Sequence, residues 1–480
     1  MENLKKWFSS IEEDLKSNNK KFVIIGGASC SGKSVSTGFF KSYLENQGKK
    51  VLYIEADKYY KSMSTVLTEK TLKNPMFKKY LPVKDQISKK VKQCTEPYTI
   101  ENKFNQTNIY NLYNSLSGLI DNDDLMPFIM ELKDHCKHYN FDEPFVVDLN
   151  LLANHINLLN NGETIYMPAY SMKTSETSIS NEHFNGNDYD YVLIEGLYAL
   201  RDEVLSKIDM SKVATACIKC PPKTMFARRL HRDIKTARVG SSPERTIISA
   251  LKDVLPSYYK DIEPTFKRAE HILNTQLTDQ EINNREKSRQ SKFTFNLEDA
   301  RKWEKLDLIE LTKPTYQTDH YFKDNTNNSK LTLRLRIENE KASELSFKIG
   351  NDTTDRRVEN YDLTKIFSEE NRDPNYLMKL FNIGGFERLF TVYKIRRYGK
   401  LKNYNKNIDI RLDTSNFGFV LEISNATPDE EEYIANLLHL KRIDKNISYE
   451  TMYHEHIKTY PNYSTMIDNI FQKNLGDYNA

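Results

Sequence analysis

Residues 26–34, GGASCSGKS, contain the residue types that can surround a phosphate chain. Within them Gly27, Gly32, Lys33 and Ser34 complete the pattern G-x-x-x-x-G-K-S. Glycines let backbone N–H groups curl around phosphate oxygens, a lysine can reach the β and γ phosphates, and a serine hydroxyl can ligate Mg²⁺. The predicted phosphate-binding residues are Gly27, Ala28, Ser29, Cys30, Ser31, Gly32, Lys33 and Ser34.

Two carboxylates follow predicted strands, a position from which an acid can assist phosphate chemistry. Asp57 ends the run KVLYIEAD, and Glu195 ends the run YVLIE just before Gly196. A carboxylate at the carboxyl end of a parallel strand can accept the proton of an attacking hydroxyl or support a Mg²⁺-bound nucleotide. We expect Asp57 to be this base, a helix cap or an outer ligand of Mg²⁺, and Glu195 to support the metal.

A cluster of arginines follows in the segment ARRLHRD, residues 227–233. Charged residues on a helix are most often simply solvated. Arginines beside a phosphate site can instead close over it and neutralise charge in the transition state. Arg228, Arg229 and Arg232 lie close together in this segment, and Arg238 follows further along the chain.

The elements around these residues predict an open α/β sheet. The β-branched run KFVII precedes the glycine-rich loop and predicts a buried strand, and the apolar spacing after the loop predicts a helix that ends near Gly48. The runs that end at Asp57 and Glu195 predict further strands. Strand, loop and helix form the context that this motif needs, so we predict a parallel sheet with helices on both faces.

From about residue 20 to 275 the chain resembles the uridine kinase and phosphoribulokinase family of P-loop kinases. The motifs that carry the resemblance, in the family's order, are GGASCSGKS, DKYY, YNFDEPFVVD, LLNNGETIYMPAYS, LIEGLYAL, ARRLHRD and VLPSYYKDIEPTFKRAEHIL. The resemblance implies transfer of the γ-phosphoryl group of ATP, with Mg²⁺, to a primary hydroxyl. It makes Asp57 the general base, supported by Lys33, Arg229 and Arg232. It places Tyr60, Asp142 and Tyr170 at the acceptor, and Ser34 and Glu195 at the metal.

The chain departs from this family on the acceptor side. The family usually has Asp after the acceptor-site tyrosine, whereas this chain has Ser171, and the following MKTSETS lacks the family's Arg. Residues 61–138 replace a short connection and are too long for an ordinary loop, so we predict that they are partly helical. We expect this insertion to act as a lid or to replace the nucleoside pocket.

The second half of the chain changes to an alternating period. The runs KLTLRLRIEN, ELSFKIG, FTVYKIRRYG, NIDIRLDT and FGFVLEIS predict antiparallel strands. Basic residues repeat on one face of these strands, and apolar residues occupy the other. Closing such a sheet would surround a tunnel with cations, and the alternative is an ordinary solvent-facing basic surface.

Residues 300–460 resemble the CYTH domain of the triphosphate tunnel metalloenzymes. The resemblance is carried by DHYFKD, LRLRIEN, LSFKIG, YKIRRYG, RLD with GFVLEIS, and ISYETMYHE. It implies an α+β antiparallel β-tunnel that binds triphosphate-bearing substrates with a divalent metal held by glutamates. By position, Asp413 and Glu422 would be the acids on the metal side. The phosphate-binding residues would be Arg334, Arg336, Lys348, Lys394, Arg396 and Arg411.

The acids of this second family are incomplete here. The opening E-x-E-x-K strand is not found, and the nearest stretch, KWEKLDLIELTK, has its acids in the wrong register. The late strand normally shows E-x-E, whereas this one reads Glu422, Ile423, Ser424. Loss of acids with retention of cations favours phosphate binding over metal-dependent hydrolysis.

Composition adds few constraints on partners. The chain has 70 Lys and Arg residues and 67 Asp and Glu residues, so its net charge of +3 does not indicate a particular kind of partner. Nucleic acid is disfavoured because the basic strand faces are predicted to point inward and no nucleic-acid motif appears. The 5 cysteines indicate structural thiols in a reducing compartment, and no apolar run predicts a signal peptide or membrane span. We therefore expect a cytoplasmic protein and leave a homo-oligomer open.

We predict an N-terminal helix over residues 1–20, a P-loop domain over 21–275, a linker over 276–300, a tunnel domain over 301–465 and a tail over 466–480. Three functions fit this order. The first is an ATP-dependent kinase for a nucleoside-like acceptor, whose second domain binds or processes a tri- or polyphosphate chain. The second is a pyrophosphatase or triphosphatase with a nucleotide-binding first domain, and the third is a non-catalytic, nucleotide-gated binding protein.

Overall fold

The computed structural model divides the chain into two compact units, Met1–Cys220 with Arg228–Thr275 and Pro221–Ala227 with Gln276–Ala480. Arg238 and the predicted tail lie outside the described residues. Within the described part of the chain, no helix combines the length and the hydropathy that a membrane span requires. The structure describes residues 2–235, 242–288, 290–324, 331–349, 356–402, 404, 408–443, 449, 451–453 and 455.

The first unit contains a parallel sheet and a separate hairpin. Its strands are β1 (Phe22–Gly27), β2 (Val51–Glu55), β3 (Thr164–Ser171), β4 (Glu176–Asn185), β5 (Tyr191–Gly196), β6 (Val213–Lys219) and β7 (His271–Asn274). The sheet has the order β2-β5-β1-β6-β7 with every neighbouring pair parallel, and β3 pairs with β4 as an antiparallel hairpin. The predicted parallel α/β sheet is confirmed, and its order places the ends of β2, β5 and β1 side by side.

Helices cover this sheet and form the insertion. The apolar face of the first helix buries Trp7, Phe8 and Ile11 against the sheet, together with Phe40. The insertion consists largely of the third to sixth helices. In chain order the helices are α1 (Glu2–Ser17), α2 (Lys33–Glu45), α3 (Met63–Thr71), α4 (Lys84–Thr95), α5 (Gln106–Leu116), α6 (Asn122–Lys137), α7 (Leu149–Asn160), α8 (Asp202–Leu205), α9 (Pro222–Leu230), α10 (Pro243–Ser249) and α11 (Leu255–Ser257). The part of α9 up to Ala227 belongs to the second unit.

The second unit is built on one large antiparallel sheet. Its strands are β8 (Glu286–Ser288), β9 (Gln290–Thr294), β10 (Ile309–Leu311), β11 (Thr315–Lys323), β12 (Leu331–Glu338), β13 (Lys341–Ile349), β14 (Arg356–Asp362), β15 (Glu387–Leu401), β16 (Asp409–Ser415), β17 (Gly418–Ser424) and β18 (Lys441–Arg442). The order is β18-β9-β17-β16-β15-β11-β12-β13-β14-β8, with β10 paired to β15. Its helices are α12 (Asp279–Asn283), α13 (Leu297–Lys305), α14 (Leu363–Ile366), α15 (Pro374–Ile383) and α16 (Pro428–Leu437).

One stretch of chain joins the two ends of this sheet. β8 pairs with β14 at one end of the order, and β9, which follows β8 after a single residue, pairs with β17 near the other end. The sheet therefore closes on itself and has an inside and an outside. On the outside, Trp303 of α13 and Ile434 of α16 pack with Leu421 and Ile423 in a buried core.

Residues 276–300, predicted as a linker, instead carry α12, β8, β9 and the start of α13. Their polar composition suggests an exposed segment, but several of their polar side chains are buried inside the unit. Lys292 in β9 is 5% exposed, and Arg285 pairs with Glu359 at 2.9 Å while both side chains are buried. The stretch KWEKLDLIELTK, whose acids are in the wrong register, does not form the opening strand, since its first residues lie in α13.

Candidate functional site

The glycine-rich loop joins the end of β1 to the start of α2. Cys30 and Gly32 have left-handed backbone conformations, with φ of 61° and 96°, which turn the chain back on itself. A Cβ atom added to Gly27 would lie 2.8 Å from Lys33 Cγ and 3.0 Å from the Ile218 carbonyl oxygen, so only glycine fits there. The loop therefore presents backbone N–H groups at the N-terminus of α2, the arrangement that binds phosphate.

Glu195, at the end of β5, lies beside this loop because β5 is the neighbour of β1. The Ser34 hydroxyl donates to Glu195 Oε1 at 2.8 Å, and Lys33 Nζ lies 3.7 Å from Glu195 Oε2. Burial raises the pKa of Glu195, and the charge of Lys33 opposes that increase. A hydroxyl and a carboxylate oxygen at this distance are the hard oxygen donors that Mg²⁺ prefers, so the pair fits the metal.

Asp57 follows β2 directly and is exposed, whereas Asp142 is buried. Burial raises the pKa of Asp142, the negative charge of Asp57 adds to the increase, and the cations Arg229, Lys33 and Arg232 oppose it. Five charged side chains from distant parts of the sequence are thus close enough to interact. This is the set that the resemblance assigns to catalysis and acceptor binding.

The arginines of α9 and those of the π-helical turn that follows it, His231–Lys235, make different contacts. Arg229 Nη1 donates to Ser29 Oγ at 3.4 Å, and Arg228 donates to the Cys30 carbonyl oxygen at 3.3 Å. Arg232 instead forms two bonds to Asp233, at 2.6 and 3.0 Å. The π-helical turn after Leu230 carries Arg232, whereas Arg228, which the sequence predictions did not select, contacts the loop directly.

The three acceptor candidates lie together. The rings of Tyr60 and Tyr170 are 5.3 Å apart, and Tyr60 Oη donates to the Phe141 carbonyl oxygen at 3.2 Å. The carbonyl oxygen of Asp142 accepts from Tyr198 Oη at 2.5 Å. The β3–β4 hairpin, the turn after β2 and the segment before α7 thus form one wall of the site.

A buried ion pair fastens the insertion to this wall. Lys103 Nζ lies 3.1 Å from Glu176 Oε1, and the two side chains are 0% and 1% exposed. Glu176 also accepts from the Ser64 hydroxyl at 2.8 Å and the Ser64 backbone N–H at 3.2 Å. Because Glu176 begins β4, the insertion packs on the hairpin that carries Tyr170.

A second cluster of charge lies inside the closed sheet of the second unit. There the strands surround a cavity of about 500 Å³. Its lining includes the six cations predicted for phosphate binding and one more, Lys292, that the sequence argument missed although the alternation in SKFTF could have indicated it. The lining cations are Lys292, Arg334, Arg336, Lys348, Lys394, Arg396 and Arg411.

A fully buried acid, Asp319, lies against three of the tunnel cations, and the sequence predictions did not include it. It is 0% exposed and lies 2.7 Å from Lys394 Nζ, 2.7 Å from Arg336 Nε and 3.4 Å from Arg334 Nη1. Although burial acts in the other direction, these cations hold the pKa of Asp319 well below its usual range. The carboxylate therefore fixes the positions of three cations.

The two predicted metal-side acids share one arginine. Arg396 donates to Asp413 at 2.6 and 2.5 Å, and its Nη2 lies 2.9 Å from Glu422. Tyr449 Oη donates to Asp413 at 2.7 Å, and Lys292 Nζ lies 3.9 Å from Glu422. A guanidinium group thus lies between the two carboxylates. In this arrangement the two acids do not form a site that fits a divalent metal. Among the described residues, three metal-ligating side chains converge elsewhere, at Asp14, Glu270 and His271.

The fold and the site define a P-loop domain of the kinase type followed by a tunnel domain. Residues 98–283 match the model of the phosphoribulokinase/uridine kinase family, and residues 291–445 match the CYTH domain model. The chain therefore carries a phosphoribulokinase/uridine kinase family domain followed by a CYTH domain.

Curated relatives match part of the chain. The chain is 34% identical over 134 residues to the uridine kinase of Staphylococcus haemolyticus, and the match covers 28% of this chain and 61% of that protein. The chain is 31% identical over 136 residues to the inorganic pyrophosphatase TTM1 of Arabidopsis thaliana, and the match covers 28% of this chain and 20% of that protein. The matches thus span about three fifths of the first relative and one fifth of the second. Among solved structures, the PH1819 protein of Pyrococcus horikoshii is 19% identical with a TM-score of 0.30, covering 35% of this chain and 99% of that chain.

Proposed function

We propose that the first unit is an ATP-dependent phosphotransferase of the uridine kinase type, which transfers the γ-phosphoryl group to a hydroxyl of a nucleoside-like acceptor. The observation that carries this proposal is the meeting of Lys33, Asp57, Asp142 and Arg229 beside a loop that presents its N–H groups at the start of α2. A phosphate site without a neighbouring acid would support nucleotide binding alone. The exposed acid beside it adds a group that can accept a proton.

Each of these residues has a separate role in the phosphoryl transfer. Backbone N–H groups of the loop and Lys33 hold the β and γ phosphates, and Arg229 neutralises charge on the transferred group. Ser34 and Glu195 would hold Mg²⁺, which supplies further charge neutralisation when bound. As the acceptor oxygen bonds to the γ-phosphorus and the bond to the β–γ bridging oxygen breaks, Asp57 takes the hydroxyl proton and ADP leaves.

A transfer assay tests this proposal. Radiolabelled ATP with Mg²⁺ is incubated with uridine, cytidine and other hydroxyl compounds, and we expect a labelled phosphate ester. Lys33→Ala should lower its formation by about 10²–10³-fold, the usual cost of removing a group that stabilises transition-state charge. Lys41→Ala, on the same helix and 3.5 Å from Glu45, should retain activity. Equal activity in the two variants would show that the transfer does not use this loop.

For the second unit we propose binding of a tri- or polyphosphate chain in the tunnel. Among the residues that the structure describes, seven cations line a cavity of about 500 Å³, and four acids, Glu338, Glu344, Asp362 and Glu422, line it with them. Hydroxyl and amide groups such as Thr332, Asn360 and Ser424 complete the lining. Cations on a fixed frame with neutral donors between them suit a linear row of phosphate groups.

A further inference from the structure

Two neighbouring strands of the tunnel, β9 and β17, carry neutral polar residues opposite one another. Gln290 of β9 lies opposite Ser424 of β17 in the register of the sheet, and both line the cavity. Ser424 is 6% exposed, and its hydroxyl has no hydrogen-bond partner among the described residues. Two residues along, Lys292 lies opposite Glu422. The pair of strands thus offers one carboxylate, and that carboxylate faces a lysine.

The two acids predicted on the metal side, Asp413 and Glu422, are already neutralised. Arg396 bonds to both Asp413 and Glu422, and Arg411 Nη1 lies 3.9 Å from Glu422. A divalent ion placed between these carboxylates would have to displace a buried guanidinium that is 2% exposed. Such a displacement would leave the arginine charge buried and unpaired, which is strongly unfavourable.

We propose that the tunnel holds a tri- or polyphosphate chain through side-chain cations alone, without a divalent metal, and leaves the chain unhydrolysed. This inference rests on the proposed phosphate binding of the second unit. The ion pairs orient the guanidinium groups of Arg334, Arg336 and Arg396 before the ligand arrives, so little side-chain entropy is lost on binding. Ser424 and Gln290 add neutral hydrogen-bonding groups where the ligand would otherwise meet a metal.

The same contacts remove the means of hydrolysis. Attack of water on a phosphoanhydride requires an activated water, which a metal or a general base supplies. Glu422 pairs with Arg396, Glu344 with Arg334 and Asp319 with Arg336, so each of these carboxylates is already held by a guanidinium group and is a poor general base. The tunnel then acts as a receptor for the phosphate chain.

Calorimetry tests the inference in the full chain carrying Lys33→Ala, so that the loop of the first unit does not contribute. Sodium tripolyphosphate is titrated in EDTA and again in magnesium chloride. We expect binding in EDTA that is at least as tight as in magnesium, and no release of inorganic phosphate with magnesium or manganese. Adding Lys348→Ala should weaken binding by about tenfold, as for the loss of a charge-assisted contact. Adding Lys379→Ala, an exposed lysine on α15, should leave it unchanged.

The outcomes separate the two proposals. Binding that disappears in EDTA and returns with magnesium or manganese, or phosphate release that Lys348→Ala abolishes, would overturn metal-free, non-hydrolytic binding and leave polyphosphate binding standing. No heat in either buffer would overturn polyphosphate binding itself, and this inference with it. Manganese titrated alone provides a second readout. Its heat should be the same with and without Glu422→Gln, and a loss caused by that substitution would show that Glu422 ligates metal.

Discussion

Asp57 and Asp142 carry the same chemical group in different surroundings. Asp57 is exposed beside the phosphate loop, whereas Asp142 is 8% exposed and burial raises its pKa. An accessible carboxylate suits proton acceptance during transfer, and a buried one suits a fixed hydrogen bond to the acceptor. We therefore expect the two acids to affect different steps.

Asparagine at each position separates these roles. Asp57→Asn should lower kcat by about 10²–10⁴-fold, the usual contribution of a general base, with little change in the KM for the acceptor. Asp142→Asn should mainly raise the acceptor KM. Steady-state kinetics at saturating ATP measure both effects, with Asp188→Asn, an exposed acid next to the hairpin, as the control. A purely raised KM in Asp57→Asn would assign this residue to binding instead.

Because Lys394 can lose its proton, we expect phosphate binding in the tunnel to depend on pH. Complete burial lowers its pKa to about 8, although the Asp319 carboxylate opposes the decrease. The lysine is thus mostly charged at pH 7 and mostly neutral at pH 9. Because a polyanion favours the charged form, tripolyphosphate affinity should fall as the pH rises above 8. The charged or titratable groups that face it are Asp319, Arg336, Arg396, Asp413 and the ring of Tyr449.

The expected fall approaches tenfold per pH unit above 8, the limit for loss of one proton. Lys394→Arg keeps its charge throughout this range, so its profile should show only the titration of the ligand. Calorimetry from pH 7 to 9.5 compares the two proteins. If both show the same pH dependence, Lys394 does not contribute to the change.

At the level of elements, a buried ion pair between Lys103 and Glu176 joins the insertion to the β3–β4 hairpin. Lys103→Ala would leave the Glu176 carboxylate buried with only its Ser64 contacts, and loss of one partner of such a pair costs about 3–5 kcal/mol. Urea denaturation should show this loss, and the acceptor KM should rise because Glu176 begins the hairpin that carries Tyr170. Lys90→Ala, exposed on α4, is the control and should change neither quantity. Unchanged stability in Lys103→Ala would mean that water replaces the lysine.

The elements also show what the sequence can and cannot predict. β1, the loop and α2 are local in sequence, and their pattern predicts them together. β9 is different, because it forms a strand by pairing with β17, about 130 residues away, while its own residues have the composition of a linker. The neutralisation of Asp413 by Arg396 depends likewise on the register of β15 and β16, which alternation within one strand does not specify. The face of each tunnel strand was therefore predictable, and the partners of its charges were not.

For the whole molecule, the two units have separate hydrophobic cores and should respond to different ligands. Trp7, Phe8 and Phe40 belong to one core, and Trp303 and Phe293 to another. A ligand stabilises the unit that binds it by about 2.7 kcal/mol at a hundred times its Kd. In scanning calorimetry we expect ATP with Mg²⁺ to raise the Tm of one transition and tripolyphosphate in EDTA to raise the other.

Single substitutions assign the transitions. Lys33→Ala should remove the shift with ATP and keep the shift with tripolyphosphate, and Lys348→Ala should reduce only the second. The net charge of +3 supports this separation, because so small a total charge cannot attract two polyanions over a long distance. Each ligand must then find its own local cluster of cations. If either substitution removed both shifts, ATP and tripolyphosphate would share a site, and the tunnel would have to be regarded as part of the phosphotransferase.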